Sequence, residues 1–296
     1  MPQAASHQPP AERKGAPLSA DPLTPLLAAA AGSEIVDLTV TLAEHLPGAW
    51  PAHMPFQRKV YSWFETHHGP PQHTQGWRGP YHTGFVILDE HCGTHVDAPC
   101  HFIPPPDSGL PNASALGNVT GADLDLADLV GPAAVIDVTD LLGQAGPGES
   151  PIVGPERIEA WEAEHGRLRP GEIVLFSTGW DRHYVPMAEG GSAYAVDPIV
   201  HRTAPGWTTP GVPALQLLLD RGVRTIGLDG ASVGACHDLL TPHVFGLGHG
   251  MVYIELLANL DRLPPRGALF ACLPLKIAGS SACPARAVAL VQRAES

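Results

Sequence analysis

Between His91 and Phe102 the chain places three imidazoles and a carboxylate within twelve residues, on a backbone that a helix cannot accommodate. The run His91-Cys92-Gly93-Thr94-His95-Val96-Asp97-Ala98-Pro99-Cys100-His101-Phe102 contains Gly93, the β-branched Thr94 and Val96, and Pro99, all of which disfavour helix. It reads instead as the end of a strand followed by a turn. His95 and Asp97, two residues apart, then point to the same side of an extended backbone, and His91 reaches the same point through a turn at Gly93. Imidazole nitrogen and carboxylate oxygen at this spacing suit a divalent metal, the alternative being a polar cluster satisfied within the protein. With 16 histidines in the chain, an isolated pair such as His67 and His68 carries no comparable weight.

At 296 residues the chain is long enough for a substantial core, and a hydrophobic content of 44% describes an ordinary soluble globule. The formal charge of −13, from 30 acidic against 17 basic residues, argues against nucleic acid and anionic membrane as partners, because both demand clustered Lys and Arg. No segment approaches the length of a transmembrane helix. Arg13 and Lys14 before the apolar Leu26 to Ala31 only faintly resemble a signal peptide, and the interruptions at Asp21, Pro22 and Pro25 favour a flexible arm over residues 1–33. Five cysteines, odd in number and without scaffold or zinc-finger spacing, point to a reducing cytoplasm. Cys92 and Cys100 fall on the face opposite their histidine neighbours, which disfavours thiolate ligation.

Apolar β-rich runs recur at Ile35 to Val40, Thr83 to Leu88, Ala133 to Val138, Ile173 to Ser177, Thr225 to Leu228, Met251 to Leu256 and Leu269 to Ile277. Helical patterns span Pro155 to His165, with Pro at its start and Ile158 and Trp161 at i, i+3 spacing, and Val212 to Arg221, stopped by Gly222. The alternation predicts an α/β fold with strands buried on both faces where the runs are continuously apolar. The Pro/Gly-rich stretches Glu65 to Pro80 and Pro104 to Gly121 flank the histidine run and read as lids or pocket walls.

The pattern His91-x-Gly93-Thr94-His95-x-Asp97-x-Pro99-x-His101-Phe102 resembles the signature of the metal-dependent cyclase family, which includes bacterial kynurenine formamidases, isatin hydrolases and proteins labelled polyketide cyclases. Asp37-Leu38 with Trp50-Pro51, Thr178-Gly179-Trp180, Pro274-Leu275 and Pro284-Ala285-Arg286 extend the likeness over roughly residues 34–292. It implies a single α/β domain of the swivelling β/β/α kind over 34–296 with long Pro/Gly-rich loops, and a homo-oligomer, dimer or tetramer. His91, His95 and Asp97 would hold a first metal and His243 a second, with Asp97 and Glu255 bridging. Glu255 also attracts notice by itself, as the only charge in the apolar segment Met251 to Leu260, where a carboxylate must be paired with a base or bound to a cation. By the same resemblance His101 would be the general acid/base, Trp50 would stack on a flat substrate and His249 would have a supporting place. The family's D-x-x-S-x-D run departs from pattern here as Asp229-Gly-Ala-Ser232-Val-Gly234, lacking the second acid, and the loops at 65–80 and 104–106 are expanded.

A nitrogen and oxygen donor set suits Zn²⁺ or Mn²⁺, one or two ions per chain. Such an ion brings the pKa of coordinated water to about 7 and polarises a carbonyl, so hydrolysis of an amide or lactam in a small aromatic or cyclic molecule is the leading expectation. Trp50, Trp63, Phe64, Trp77 and Tyr81 would form an aromatic wall or simply pack. A cyclase, dehydratase or lactone hydrolase of secondary metabolism would use the same site, and a metal-stabilised binding protein is a third possibility. Serine or cysteine nucleophilic catalysis is the mechanistic rival, but the thiol of Cys236, next to His237 in sequence, would point away from it on a strand.

Overall fold

The computed structural model describes residues 24–64 and 81–293. The strands in chain order are β1 (Ser33–Asp37), β2 (Gln57–Trp63), β3 (His82–Ile87), β4 (His95–Asp97), β5 (Val130–Asp137), β6 (Ile152–Val153), β7 (Ile173–Ser177), β8 (Thr209–Pro210), β9 (Thr225–Leu228), β10 (Val252–Glu255), β11 (Arg266–Pro274) and β12 (Ala282–Gln292). The α-helices are α1 (Thr24–Ala31), α2 (Pro155–His165), α3 (Val212–Asp220) and α4 (Leu240–Gly248). Of the arm expected over residues 1–33, residues 1–23 lie outside the described residues, and α1 occupies most of the remainder.

The main sheet runs β1-β12-β11-β5-β7-β9-β10-β4, and β4 pairs back onto β12. Seven strands therefore close into a barrel, with β1 attached outside the ring on β12. Strands β5, β7, β9 and β10 are mutually parallel, while β11, β12 and β4 complete the circle through antiparallel pairings. The side-chain alternation of a strand sorts two cores. Ala133, Val135, Leu175, Ile254 and Val96 fill one cluster with Phe270 and Ala289. Their neighbours Ala134, Ile136, Phe176, Ile226 and Tyr253 pack in another against the helix residues Ile158, Leu215, Leu218 and Leu247. Both faces are buried, as the continuously apolar runs predict.

Helix α2 begins at Pro155 and buries Ile158 and Trp161, whose indole N–H donates to Val135 O at 2.8 Å. Helix α3 ends before Gly222, whose φ of +79° is the left-handed stop expected there. Strand β12, an eleven-residue strand at the seam of the barrel, falls where the sequence shows no uninterrupted apolar run, because Pro284 and Arg286 break the pattern. Helix α4 likewise carries Pro242, Gly246 and Gly248, a weak helical signature. Pro242 is tolerated in its first turn, and Gly246 is needed because a Cβ there would lie 1.7 Å from the Tyr253 hydroxyl. Strands β2 and β3 form a separate hairpin. No helix among the described residues is long and apolar enough to cross a membrane.

Candidate metal centre

Strand parity and register assemble the centre. Val96 and Ile254 face one core, so their neighbours His95, Asp97 and Glu255 emerge on the opposite face, where β4 and β10 pair with His95 opposite Glu255 and Asp97 opposite Tyr253. The turn before β4 depends on Gly93, which has φ +65° and whose added Cβ would meet Leu42 Cδ2 at 2.5 Å. Thr94 locks this edge by donating from Oγ1 to Leu256 O and accepting from Val40 N–H. Helix α4 delivers His243 to the same point, and the turn after β4 delivers His101.

The hydrogen bonds fix where each imidazole carries its proton. A carbonyl oxygen only accepts, so His95 donates from Nδ1 to Gly93 O at 2.8 Å and His243 donates from Nδ1 to Leu239 O at 2.6 Å. Ser281 gives its hydroxyl proton to Glu90 Oε2 at 2.8 Å, so its oxygen accepts from His91 Nε2, 3.3 Å away. In the neutral rings three nitrogens are left with lone pairs: His91 Nδ1, 3.0 Å from Asp97 Oδ1; His95 Nε2, 3.3 Å from the same oxygen and 3.6 Å from Glu255 Oε2; and His243 Nε2, 3.3 Å from Glu255 Oε1. His95 Nε2 and both oxygens of Asp97 are buried without a hydrogen-bond partner. Lone pairs turned on carboxylate oxygens repel unless a cation lies among them or the rings are protonated.

The titration behaviour reflects this crowding. Burial opposes a charge on His95, but Asp97 and Glu255 push it up to about 9, and His243 is raised against its burial by Glu255 and Asp97. Asp97, also against burial, is held well below the ordinary carboxylate range by His101 and His91. His101 moves the other way, to about 3, through burial and then, against the pull of Asp97, through the neighbouring imidazoles. The donor set of buried, unpaired nitrogen and oxygen atoms thus fits a divalent cation. His91, Asp97 and His101 offer ligand atoms within 4.8 Å of one another, and His95, Asp97 and Glu255 offer a second such set.

His91, His95, Asp97, His101, His243 and Glu255 therefore meet in one place. His249 does not join them: it is exposed, bonds Phe245 O and packs on the Phe245 ring away from the cleft. Of the aromatic wall, Trp50 lines the cleft, set edge-on to Trp207 at 6.4 Å, whereas Trp63, Phe64 and Tyr81 are exposed on or beside the β2–β3 hairpin and Trp77 lies outside the described residues. The stretch 65–80 also lies outside them. Pro104 to Gly121 forms an ordered succession of turns in which Ser114 N–H bonds Pro104 O. Cys92 is buried behind the run, where burial and then Asp89 push its thiol up to about 11, and Cys100 donates to Ser280 O.

Several contacts of the site have no counterpart in the sequence reading. Phe102 stacks on His243 at 4.5 Å, and Ser232 Oγ and Val233 N–H both donate to Glu255 Oε1. Among the described residues the ion pairs of Glu255 are with His95 and His243, and no arginine reaches it. The acid missing at Gly234 has a steric cause, since a Cβ there would lie 2.7 Å from the Leu239 backbone and 3.1 Å from His243 Cε1. Asp229 accepts from Thr178 N–H, Thr178 Oγ1 and Gly179 N–H, tying the Thr178-Gly179-Trp180 turn to the end of β9. The cleft itself is open, leaves about 140 Å³ for water-sized occupants and is walled by Trp50, Phe102, Leu239 and Ala231 around the polar floor.

Residues 36–235 match the Cyclase family, described as "Putative cyclase". Isatin hydrolase from Roseibium aggregatum is 32% identical over 229 residues, covering 73% of this chain and 78% of that protein. Kynurenine formamidase from Salinibacter ruber is 32% identical over 211 residues, covering 69% and 78%. Among solved structures, isatin hydrolase A from Ralstonia solanacearum superposes with a TM-score of 0.74 at 27% identity, covering 93% of this chain and all of that one.

Proposed function

Because this chain belongs to the cyclase family, we propose that it is a metal-dependent hydrolase that cleaves the amide or lactam C–N bond of a small aromatic or cyclic substrate. The observation that carries this reading is the set of buried, unpartnered donors, His95 Nε2 and both Asp97 oxygens, at the floor of an open cleft with largely apolar walls. His91, His95 and Asp97 would hold one cation and His243 a second, with Asp97 and Glu255 shared; zinc and manganese both match the donors. A divalent cation there supplies Lewis acidity toward the carbonyl and makes water a usable nucleophile near neutral pH.

The chain's own residues do the rest. Asp97 and Glu255 balance the positive charge, and Ser232 and the Val233 N–H hold the Glu255 carboxylate in place. Trp50 offers an indole face to a planar ring. His101, its ring 4.0 Å from that of His91 and kept neutral by burial, takes up at one imidazole nitrogen the proton that the attacking water gives up and passes it to the departing nitrogen. Phe102 and Leu239 limit the access of bulk water on that side.

A substrate panel of aryl formamides, benzo-fused lactams and lactones, run with zinc- and manganese-reconstituted protein, tests the reading. Turnover of amides or lactams supports it, and turnover of lactones alone, or of none, overturns it. We also read the protein as a homo-oligomer, dimer or tetramer, in the cytoplasm. The hairpin of β2 and β3 supports the first, since a two-stranded ribbon is marginal by itself and Val60, Trp63, Phe85 and Val86 are each more than half exposed. Five unpaired cysteines support the second. Sedimentation analysis measures the oligomeric state directly.

A further inference from the structure

His53 lines the cleft near Trp50 and takes no part in the chemistry above. Its ring sits 5.6 Å from that of His91, and its Nδ1 lies 3.0 Å from Asp89 Oδ1. The same oxygen accepts from the backbone N–H of His91 at 2.9 Å, so one carboxylate ties His53 to the strand that carries the candidate ligands. Because a carboxylate oxygen accepts, Nδ1 of His53 is the donor. Nε2 has no protein partner among the described residues and is left with a lone pair.

The other polar groups of the cleft are committed. Ser232 is bonded to Glu255, the Tyr194 hydroxyl donates to Asp229 O, and the remaining imidazoles belong to the centre or to proton transfer. The walls between them are apolar. A small substrate lying on Trp50 with its carbonyl at the centre therefore finds one free side-chain acceptor, held by Asp89 at a set distance from the floor.

We propose that His53 determines substrate class by accepting a hydrogen bond at Nε2 from an N–H of the substrate, so that the site selects secondary amides and lactams over esters and lactones of the same shape. An oxygen in place of N–H would set two lone pairs against each other, and a hydrogen-bonding site left without its partner discriminates more sharply than an apolar one. The inference rests on the hydrolase reading above and asks for more than it does.

The test compares a benzo-fused five-membered lactam with the lactone of the same ring, on the full-length metal-loaded protein, in wild type and His53→Phe. The lactam-to-lactone ratio of kcat/KM is expected to fall about ten-fold in the variant, the worth of one hydrogen bond, because intrinsic reactivity cancels between the two proteins. A ratio unchanged in the variant, with the lactam still hydrolysed, overturns the role of His53 and leaves the hydrolase reading standing. If neither compound turns over, the hydrolase reading fails, and the affinities of the same two compounds in titration calorimetry decide: tighter lactam binding lost in His53→Phe supports the proposal, and equal affinities overturn it. Should His53→Phe not fold, His53→Ala takes its place in the same comparison, with the same outcomes.

Discussion

His95 and Glu255 stand opposite each other in the β4–β10 ladder, with His95 Nε2 3.6 Å from Glu255 Oε2 although 160 residues separate them in the chain. A short antiparallel pairing thus joins the N-terminal histidine run to the C-terminal carboxylate, and the close approach of a basic nitrogen to an acidic oxygen is set by backbone register. Glu255→Gln keeps the shape and the Ser232 contact but removes a negative charge from the floor. Affinity for Zn²⁺ or Mn²⁺, measured against a competing chelator, should fall by about ten-fold or more. An unchanged affinity would remove Glu255 from the centre.

His101 is assigned to proton transfer, yet it stands at a ligand's distance from His91 and Asp97. His101→Ala should retain the metal and lose about 10²–10⁴-fold in kcat. Metal content and turnover measured on the same preparation separate the two roles, because a ligand's loss would lower both.

The turn at Gly93 supports the centre from outside. Gly93→Ala places a Cβ at φ +65° and against Leu42, a cost of about 1–2 kcal/mol, and shifts the carbonyl that orients His95. Thermal denaturation in excess chelator should show the loss of stability, and metal titration a weaker affinity. Wild-type values in both would show that the turn has no such demand.

Away from the cleft, Arg221 binds Glu162 through two 2.8 Å hydrogen bonds that join α3 to α2, both side chains being mostly buried. The hydrogen bond from Arg221, followed by a Leu168 N–H bond acting against burial, holds Glu162 below the usual glutamate range. The fold favours the ionised form, so this contribution is complete above the ordinary glutamate range and is lost as pH falls through the depressed value. Denaturation midpoints from pH 6 to pH 3 should therefore drop less steeply in Glu162→Gln than in wild type, while at pH 7 the variant should be less stable by about 1–3 kcal/mol. Parallel pH profiles would contradict the pairing's role.

The sequence revealed the centre because its donors are dense: a backbone that cannot be helical must alternate, and alternation alone aligns His95 with Asp97. Continuously apolar runs marked β5, β7 and β9, and the Pro155 and Gly222 boundaries marked two helices. Helix α4 and strand β12 were hidden because tertiary packing overrides their poor local propensity, with Gly246 making room for Tyr253 and Pro284 lying in a strand. The closure of the barrel through β4 and β12 and the pairing of His53 with Asp89 depend on register between distant segments, which no local pattern encodes. The missing second acid at Gly234 was visible in sequence, but its cause, the close approach of Leu239 and His243, lies only in three dimensions.

A cation bound only by the folded chain stabilises it by about 2.7 kcal/mol at a free concentration one hundred times its dissociation constant. The melting temperature should fall on chelation and recover on adding Zn²⁺ or Mn²⁺, and Asp97→Ala should show neither change.

Elemental analysis of the purified protein, wild type beside Asp97→Ala, shows whether the histidine and carboxylate floor holds metal. One or two equivalents of zinc or manganese are expected per wild-type chain and none in the variant, with the variant still folded by circular dichroism. Wild-type protein that remains metal-free after incubation with both ions and dialysis would contradict it, since the lone pairs of His91, His95 and His243 would then be satisfied by protons alone.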